Sequence, residues 1–165
     1  IAMVLVILDF DGTLIVRHTG GIYRGDALGF FGGAARLAEL RRVLARLHQC
    51  ATLYIVSRGL SSSVQRYLRE AGLSAYFGRI YGVERAEQIA GSETAWANIK
   101  ARTLDSIRRE TGAHQIHFYD DTAVNVQIAR AHGFSDSHIV NNKNDHESLI
   151  AQLQSLARMV CRFNM

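Results

Sequence analysis

Apolar residues recur along this chain in two rhythms. Met3 to Leu8 (MVLVIL) is an unbroken apolar run rich in β-branched residues, the pattern of a strand covered on both faces. Ala51 to Val56 (ATLYIV) repeats it, and Gln115 to Tyr119 predicts a further strand. Shorter strands are expected at Arg79 to Tyr81 and His138 to Val140. Between these runs the spacing becomes helical: Leu37, Leu40, Leu44 and Leu47 share one face, as do Leu149, Leu153, Leu156 and Val160.

Local signals set the helix ends. Gly32-Gly33 opens the first helix, Ser61 to Ser63 can cap a second that runs to about Gly72, and Ser92-Glu93 starts a third. Thr111-Gly112 stops that third helix, a fourth runs to His132-Gly133, and the last starts at about Asp145. The segment Leu14 to Arg24 has two β-prone stretches around Thr19-Gly20-Gly21 and predicts a hairpin. Strands alternating with helices imply an α/β fold: a three-layer, doubly wound, Rossmann-like sheet, mostly parallel, with a hairpin flap after the first strand.

Composition narrows the class. The 165 residues, 48% hydrophobic and 21% charged, suit one folded domain spanning 1–165; there is no proline, linker or internal repeat to divide it. Cys50 and Cys161 have no metal-type spacing, so a disulfide framework is not expected and an intracellular, cytoplasmic setting is the default. The run Ile1 to Leu8 is too short to cross a bilayer and lacks signal-peptide features, so no membrane association is expected. The net charge of +4 suits anionic partners, although the arginines are scattered and no aromatic-plus-basic stripe marks a nucleic-acid surface.

The chemistry gathers at strand ends. Asp9 and Asp11 follow the first strand, where Gly12 lets the backbone turn, and Asp120-Asp121 end another strand. In doubly wound folds these positions face one crevice. Several carboxylates converging there describe a site for a hard cation, with Mg²⁺ the natural candidate. Ser57 ends a third strand and can donate to a phosphate oxygen; Lys100, one of two lysines, supplies a positive charge to a phosphate or to Asp9.

The order DFDGT (Asp9 to Thr13), a strand with Ser57, then Lys100, then a strand with Asp120-Asp121-x-x-x-Asn125 resembles the haloacid dehalogenase superfamily. All four motifs of that family occur in its order, spanning Asp9 to Asn125. The resemblance implies a phosphatase in which Asp9 is the nucleophile and Asp11 the general acid and base. It implies a Mg²⁺ site from Asp9, the Asp11 backbone carbonyl and Asp121, with Asp120 nearby and Asn125 in support, where the family often has Asp. Ser57, Arg58, Lys100, Gly12 and Thr13 would meet the phosphate. Neither Thr13 to Ser57 nor Ser57 to Lys100 leaves room for a cap domain. A capless member would have an open crevice suited to large phosphorylated substrates: a phosphoprotein, a nucleic-acid end or a glycoconjugate, with nucleotides and sugar phosphates also in range.

Arg17, His18, Arg24 and Arg58 could form a positive mouth over the crevice, or an ordinary solvated surface. His114, His117, His132, His138 and His146 show no metal-ligand spacing, and Trp96 suits a core position. Two further functional readings stand beside phosphatase: another reaction of the same family such as phosphoryl transfer, and a non-catalytic or regulatory binding protein of the same fold.

Overall fold

The computed structural model describes residues 3–162; Ile1 and Ala2, the start of the apolar opening run, lie outside the described residues. Five strands form one sheet: β1 (Val4–Leu8), β2 (Thr52–Leu60), β3 (Phe77–Val83), β4 (Gln115–Asp120) and β5 (Ser137–Ile139). The order is β3-β2-β1-β4-β5 and every pairing is parallel. Parallel neighbours need crossover connections, which is why helices intervene.

Those helices are α2 (Ala34–His48), α3 (Ser61–Ala71), α4 (Glu93–Thr111), α5 (Ala123–Ala131) and α6 (Leu149–Val160); α1 (Ala27–Phe30) is a single turn. Successive residues of β1 bury opposite faces. Val6 and Leu8 join the core beneath α2, α3 and α6, whereas Leu5 and Ile7 pack with Leu104 and Ile107 of α4 and Ala129 of α5. The unbroken apolar run of β1 follows from this double burial.

The chain winds from β1 through β2 to β3 on one side, then returns to the other side as β4 and β5. The switch point therefore lies between the carboxyl ends of β1 and β4, where a crevice opens in such sheets. Leu8 pairs with Tyr119, which sets Asp9 beside Asp120, and the Asp9 N–H donates to the Tyr119 carbonyl at 2.9 Å.

Several expectations change. Over Leu14 to Arg24 no strand pair forms. Ile15 is fully buried in the core, Gly20 and Gly21 adopt φ of 75° and 87°, and the loop docks on β2 through Leu60 N–H to Gly21 O at 2.8 Å. Its β-prone residues are apolar because they are buried, not because they pair. The second helix is capped without a serine side chain, and Ser63 instead accepts from Tyr23 N–H at 3.0 Å. The last helix begins at Leu149, four residues after Asp145, with the Ser148 side chain accepting from Ala151 N–H.

Cys50 and Cys161, 111 positions apart in sequence, form a disulfide with Cα atoms 5.6 Å apart. The pairing arises because the ends of α2 and α6 pack together, which spacing alone does not reveal. It also removes the cysteine-based reason for a reducing compartment. Among the described residues no helix is long and apolar enough to cross a membrane.

Candidate active site

At the switch point, Asp9, Asp120 and Asp121 each offer a carboxylate oxygen, and these oxygens lie within 4.8 Å of one another. Lys100 enters from α4 and is buried between two of them: Nζ is 2.7 Å from Asp9 Oδ1 and 2.9 Å from Asp120 Oδ2. The other Asp9 oxygen, Oδ2, accepts from the Thr13 hydroxyl at 3.2 Å. Asp120 is fully enclosed. Its Oδ1 accepts from Thr122 N–H at 2.9 Å and its Oδ2 from Asn125 Nδ2 at 3.0 Å as well as from Lys100.

Electrostatics match this enclosure. Burial pushes the Asp9 carboxyl up to about 6, opposed by Lys100 and reinforced by Asp121. Burial and then Asp9 push Asp120 up to about 6. Burial alone would lower Lys100, but Asp120 and Asp9 outweigh it and hold the ammonium above its ordinary value. The lysine is thus a fixed cation, and the carboxylates around it remain short of positive charge.

A cleft of about 340 Å³ opens above this group, lined by Asp9, Asp11, Ser57, Lys100, Asp121 and Asn125 among others. Asp11 sits on its wall, its carboxylate held by Thr19 N–H at 2.9 Å and by the Thr19 hydroxyl. Ser57 Oγ accepts from Gly59 N–H at 2.9 Å, which leaves its own proton free to donate. Asp121 accepts from Thr13 Oγ1 at 3.4 Å and contacts His18 Nε2 at 3.0 Å. Gly12 takes φ of 73°, and a Cβ there would stand 2.2 Å from Asp121 Oδ2. Glycine is required at this turn for both reasons.

The other expected phosphate contacts are engaged within the protein. Thr13 is buried beneath the carboxylates and its hydroxyl is directed at Asp9 and Asp121. Gly12 and Thr13 both offer carbonyls to Asn142 Nδ2, at 3.0 Å each. Arg58 lines the cleft, yet its Nε donates to Ile89 O at 2.8 Å and its Cζ stands 5.4 Å from the centre of the Trp96 ring. Trp96 is buried, as expected, and also forms part of the cleft wall. The positive mouth does not assemble: Arg17 pairs with Asp26, His18 with Asp121, and Arg24 donates to Thr19 O.

Three supporting residues escaped the sequence reading. Thr19, Asn142 and Arg36 act by hydrogen bonding to backbone or carboxylate groups around the Asp9–Leu14 turn; Arg36 Nη1 donates to Leu14 O at 2.9 Å. Their signals are weak because each lies in a loop or on an Arg-rich helix. A second group was also missed: His117, Asp136 and His138 converge on the β4–β5 edge.

The acidic cluster fits a hard divalent cation. Its donors are all oxygen, and four cleft carboxylates (Asp9, Asp11, Glu93, Asp121) face two cations, Arg58 and Lys100. A dianionic phosphate would meet net negative charge here unless a metal entered with it.

No protein-family model matches this sequence, and no curated protein does. Solved structures do match. A haloacid dehalogenase-like hydrolase from Streptococcus pneumoniae superposes with a TM-score of 0.56 at 16% identity, over 99% of each chain. A Thermotoga maritima protein described as a β-phosphoglucomutase gives 0.60 at 15%, covering 96% of this chain and all of that one. The core domain of a Streptococcus pneumoniae protein described as a phosphoglycolate phosphatase gives 0.56 at 15%, over 96% of both. The fold implied by the motifs is the fold observed: this chain has the architecture of haloacid dehalogenase-like hydrolases.

Proposed function

We propose that the protein is a Mg²⁺-dependent phosphomonoester hydrolase that works through an aspartyl-phosphate on Asp9. The observation that carries this reading is the convergence of Asp9, Asp120 and Asp121 around Lys100 beneath an open cleft. Asp9 and Asp121 would hold the ion with the Asp11 carbonyl, while Asp120, bonded to Lys100 and Asn125, orients the cluster. Bound there, Mg²⁺ would offset the repulsion between carboxylate and phosphate, about 4 kcal/mol for unit charges ~4 Å apart at an effective dielectric near ~20.

The chain's own groups do the rest. Lys100 and Thr13 each hold one oxygen of Asp9 and so aim the carboxylate. An Asp9 oxygen attacks phosphorus, the ester P–O bond breaks, and the electron pair leaves on the alcohol oxygen, which Asp11 protonates. Asp11 then takes a proton from water as that water attacks phosphorus. The Asp9–phosphorus bond breaks, releasing inorganic phosphate and restoring the carboxylate. Ser57 donates to a phosphate oxygen throughout.

The segments after β1 and after β2 contain no inserted folded cap among the described residues. The reading therefore extends to large or macromolecular substrates, phosphoproteins and nucleic-acid ends above all. Phosphate release from phosphopeptides, 3′- and 5′-phosphorylated oligonucleotides, nucleotides and sugar phosphates, with Mg²⁺ and with chelator, tests it. Mg²⁺-dependent release that disappears in Asp9→Asn is expected; an Asp9→Asn protein with full activity would sink the reading.

A further inference from the structure

The register of β4 and β5 brings three possible ligands together away from the carboxylate site. Phe118 pairs with Ser137 and Tyr119 with His138. One step back along both strands sets Asp136 beside His117, and the period of two places His117, Tyr119, Asp136 and His138 on one face of the sheet. Contacts confirm the placement: the His117 and His138 rings lie 6.4 Å apart at an interplanar angle of 10°, and Tyr119 stacks on His138 at 4.8 Å. One nitrogen from each imidazole and one Asp136 oxygen lie within 4.8 Å of one another.

We propose that His117, His138 and Asp136 form a second metal site, for a borderline divalent transition ion of the Zn²⁺ type. Two imidazoles and one carboxylate are the donor set such ions favour, and hard Mg²⁺ does not. The ligands stand on two hydrogen-bonded strands, so most of the ordering cost is met by the fold. A tetrahedral ion with bonds of ~2.0–2.2 Å draws its ligands to within about 3.5 Å of each other. Exposed Asp136 and half-buried His138 can make that adjustment by turning toward the ion, while buried His117 stays in place. The exposed carboxylate also marks the route of entry and leaves a fourth position for water.

Surroundings favour the ligand form of both rings. Gln115 Oε1 stands 3.2 Å from His117 Nε2, the kind of contact that fixes a ligand imidazole's tautomer and orientation. Burial lowers the pKa of His117, and burial followed by the neighbouring His117 ring lowers that of His138, a shift toward the uncharged form that ligates. His117 lies three residues before Asp120, roughly 10 Å along the strand, and His138 is in register with Tyr119. An ion there would tie the three-residue strand β5 to β4.

The full-length protein, stripped of metal, is incubated with Zn²⁺ in excess Mg²⁺, which occupies the carboxylate site, and retained zinc is measured after desalting. One equivalent per chain is expected. Affinity should fall by more than roughly tenfold in His138→Ala and in Asp136→Asn, and stay unchanged in His18→Ala, which alters the imidazole beside the acidic cluster. Wild-type protein that retains no zinc overturns the proposal without any variant. Zinc retained equally by folded His138→Ala and lost from His18→Ala overturns it too. Phosphate release plays no part in the readout, so failure here is separable from failure of the phosphatase reading.

Discussion

Lys100 Nζ lies 2.7 Å from Asp9 Oδ1, a buried ion pair joining residues 91 positions apart. The same nitrogen bonds Asp120, so one cation neutralises two carboxylates that burial alone would drive toward protonation. Lys100→Met removes it and leaves both enclosed acids without a balancing cation, although Thr13, Thr122 and Asn125 still donate to them. Breaking such a pair costs about 3–5 kcal/mol, so urea unfolding should show a loss of that order and phosphate release should vanish. Added Mg²⁺ should recover part of the stability but not the activity. A variant as stable as wild type without metal would show that the lysine is not balancing these charges.

The same two acids set a pH dependence. Asp9 and Asp120 are both raised, from 3.8 to about 6, chiefly by burial. A carboxyl with a raised folded pKa contributes stability that is fully present below the unfolded value and is lost as pH rises through about 6. Metal-free protein is therefore penalised above pH 6, and Mg²⁺ bound as proposed to the ionised cluster would relieve that penalty. The rise in Tm caused by Mg²⁺ should be largest above pH 6 and shrink as pH falls through about 6. His117 and His138 titrate in the opposite sense, but their contribution cancels when the two Mg²⁺ conditions are compared at one pH. A Mg²⁺ increment independent of pH between 5 and 7 would exclude Asp9 as a binding group and Asp120 as a member of the cluster that responds to the ion.

Which parts of this structure were legible beforehand follows from the range of the interactions. Strand-end acids such as Asp9 and Asp120 are marked locally, because an apolar run stops at a pair of closely spaced aspartates. Lys100 is marked only by its place in a motif order; its partners depend on how α4 docks. Ile15 and Val16 show the opposite failure, since β-branched residues read as a strand lie buried and half-buried in a loop whose glycines match the shape of β2. His117 with His138, and Cys50 with Cys161, are brought together by strand register and helix packing, which leave no trace in spacing. Arg36 and Arg41, two of the scattered arginines, donate to backbone carbonyls at Leu14, Phe31 and Ala71, which their positions in the sequence do not reveal.

The Cys50–Cys161 bridge gives a third prediction. Cys50 follows α2 and precedes β2, at the amino ends of the strands and opposite the cleft. Closing a loop of 111 positions restricts the unfolded chain, a contribution of about 4–5 kcal/mol by the chain-entropy relation. Reduction should lower the unfolding free energy by up to that amount while leaving phosphate release below the transition unchanged. Thiol titration of the native, unreduced protein should find no free cysteine; two reactive thiols would refute the bridge.

Gly59 and Gly21 meet backbone to backbone where the loop after β1 crosses β2. A Cβ on Gly59 would stand 2.9 Å from Gly21 Cα and 3.2 Å from its carbonyl oxygen, neither of which can rotate away. Gly59→Ala should push the loop outward and break the bond from Leu60 N–H to Gly21 O. Overpacking of this kind costs about 1–3 kcal/mol. The functional effect should exceed the stability effect, because Thr19, two residues before Gly21, holds the Asp11 carboxylate on the cleft wall. Hydrogen exchange at residues 17–25 should accelerate, and kcat should fall more than KM rises if Asp11, which the loop positions, is the proton donor as proposed. Unchanged exchange and kcat in Gly59→Ala would mean that the loop does not depend on this contact and that Asp11 is held by the Asp9–Leu14 turn alone.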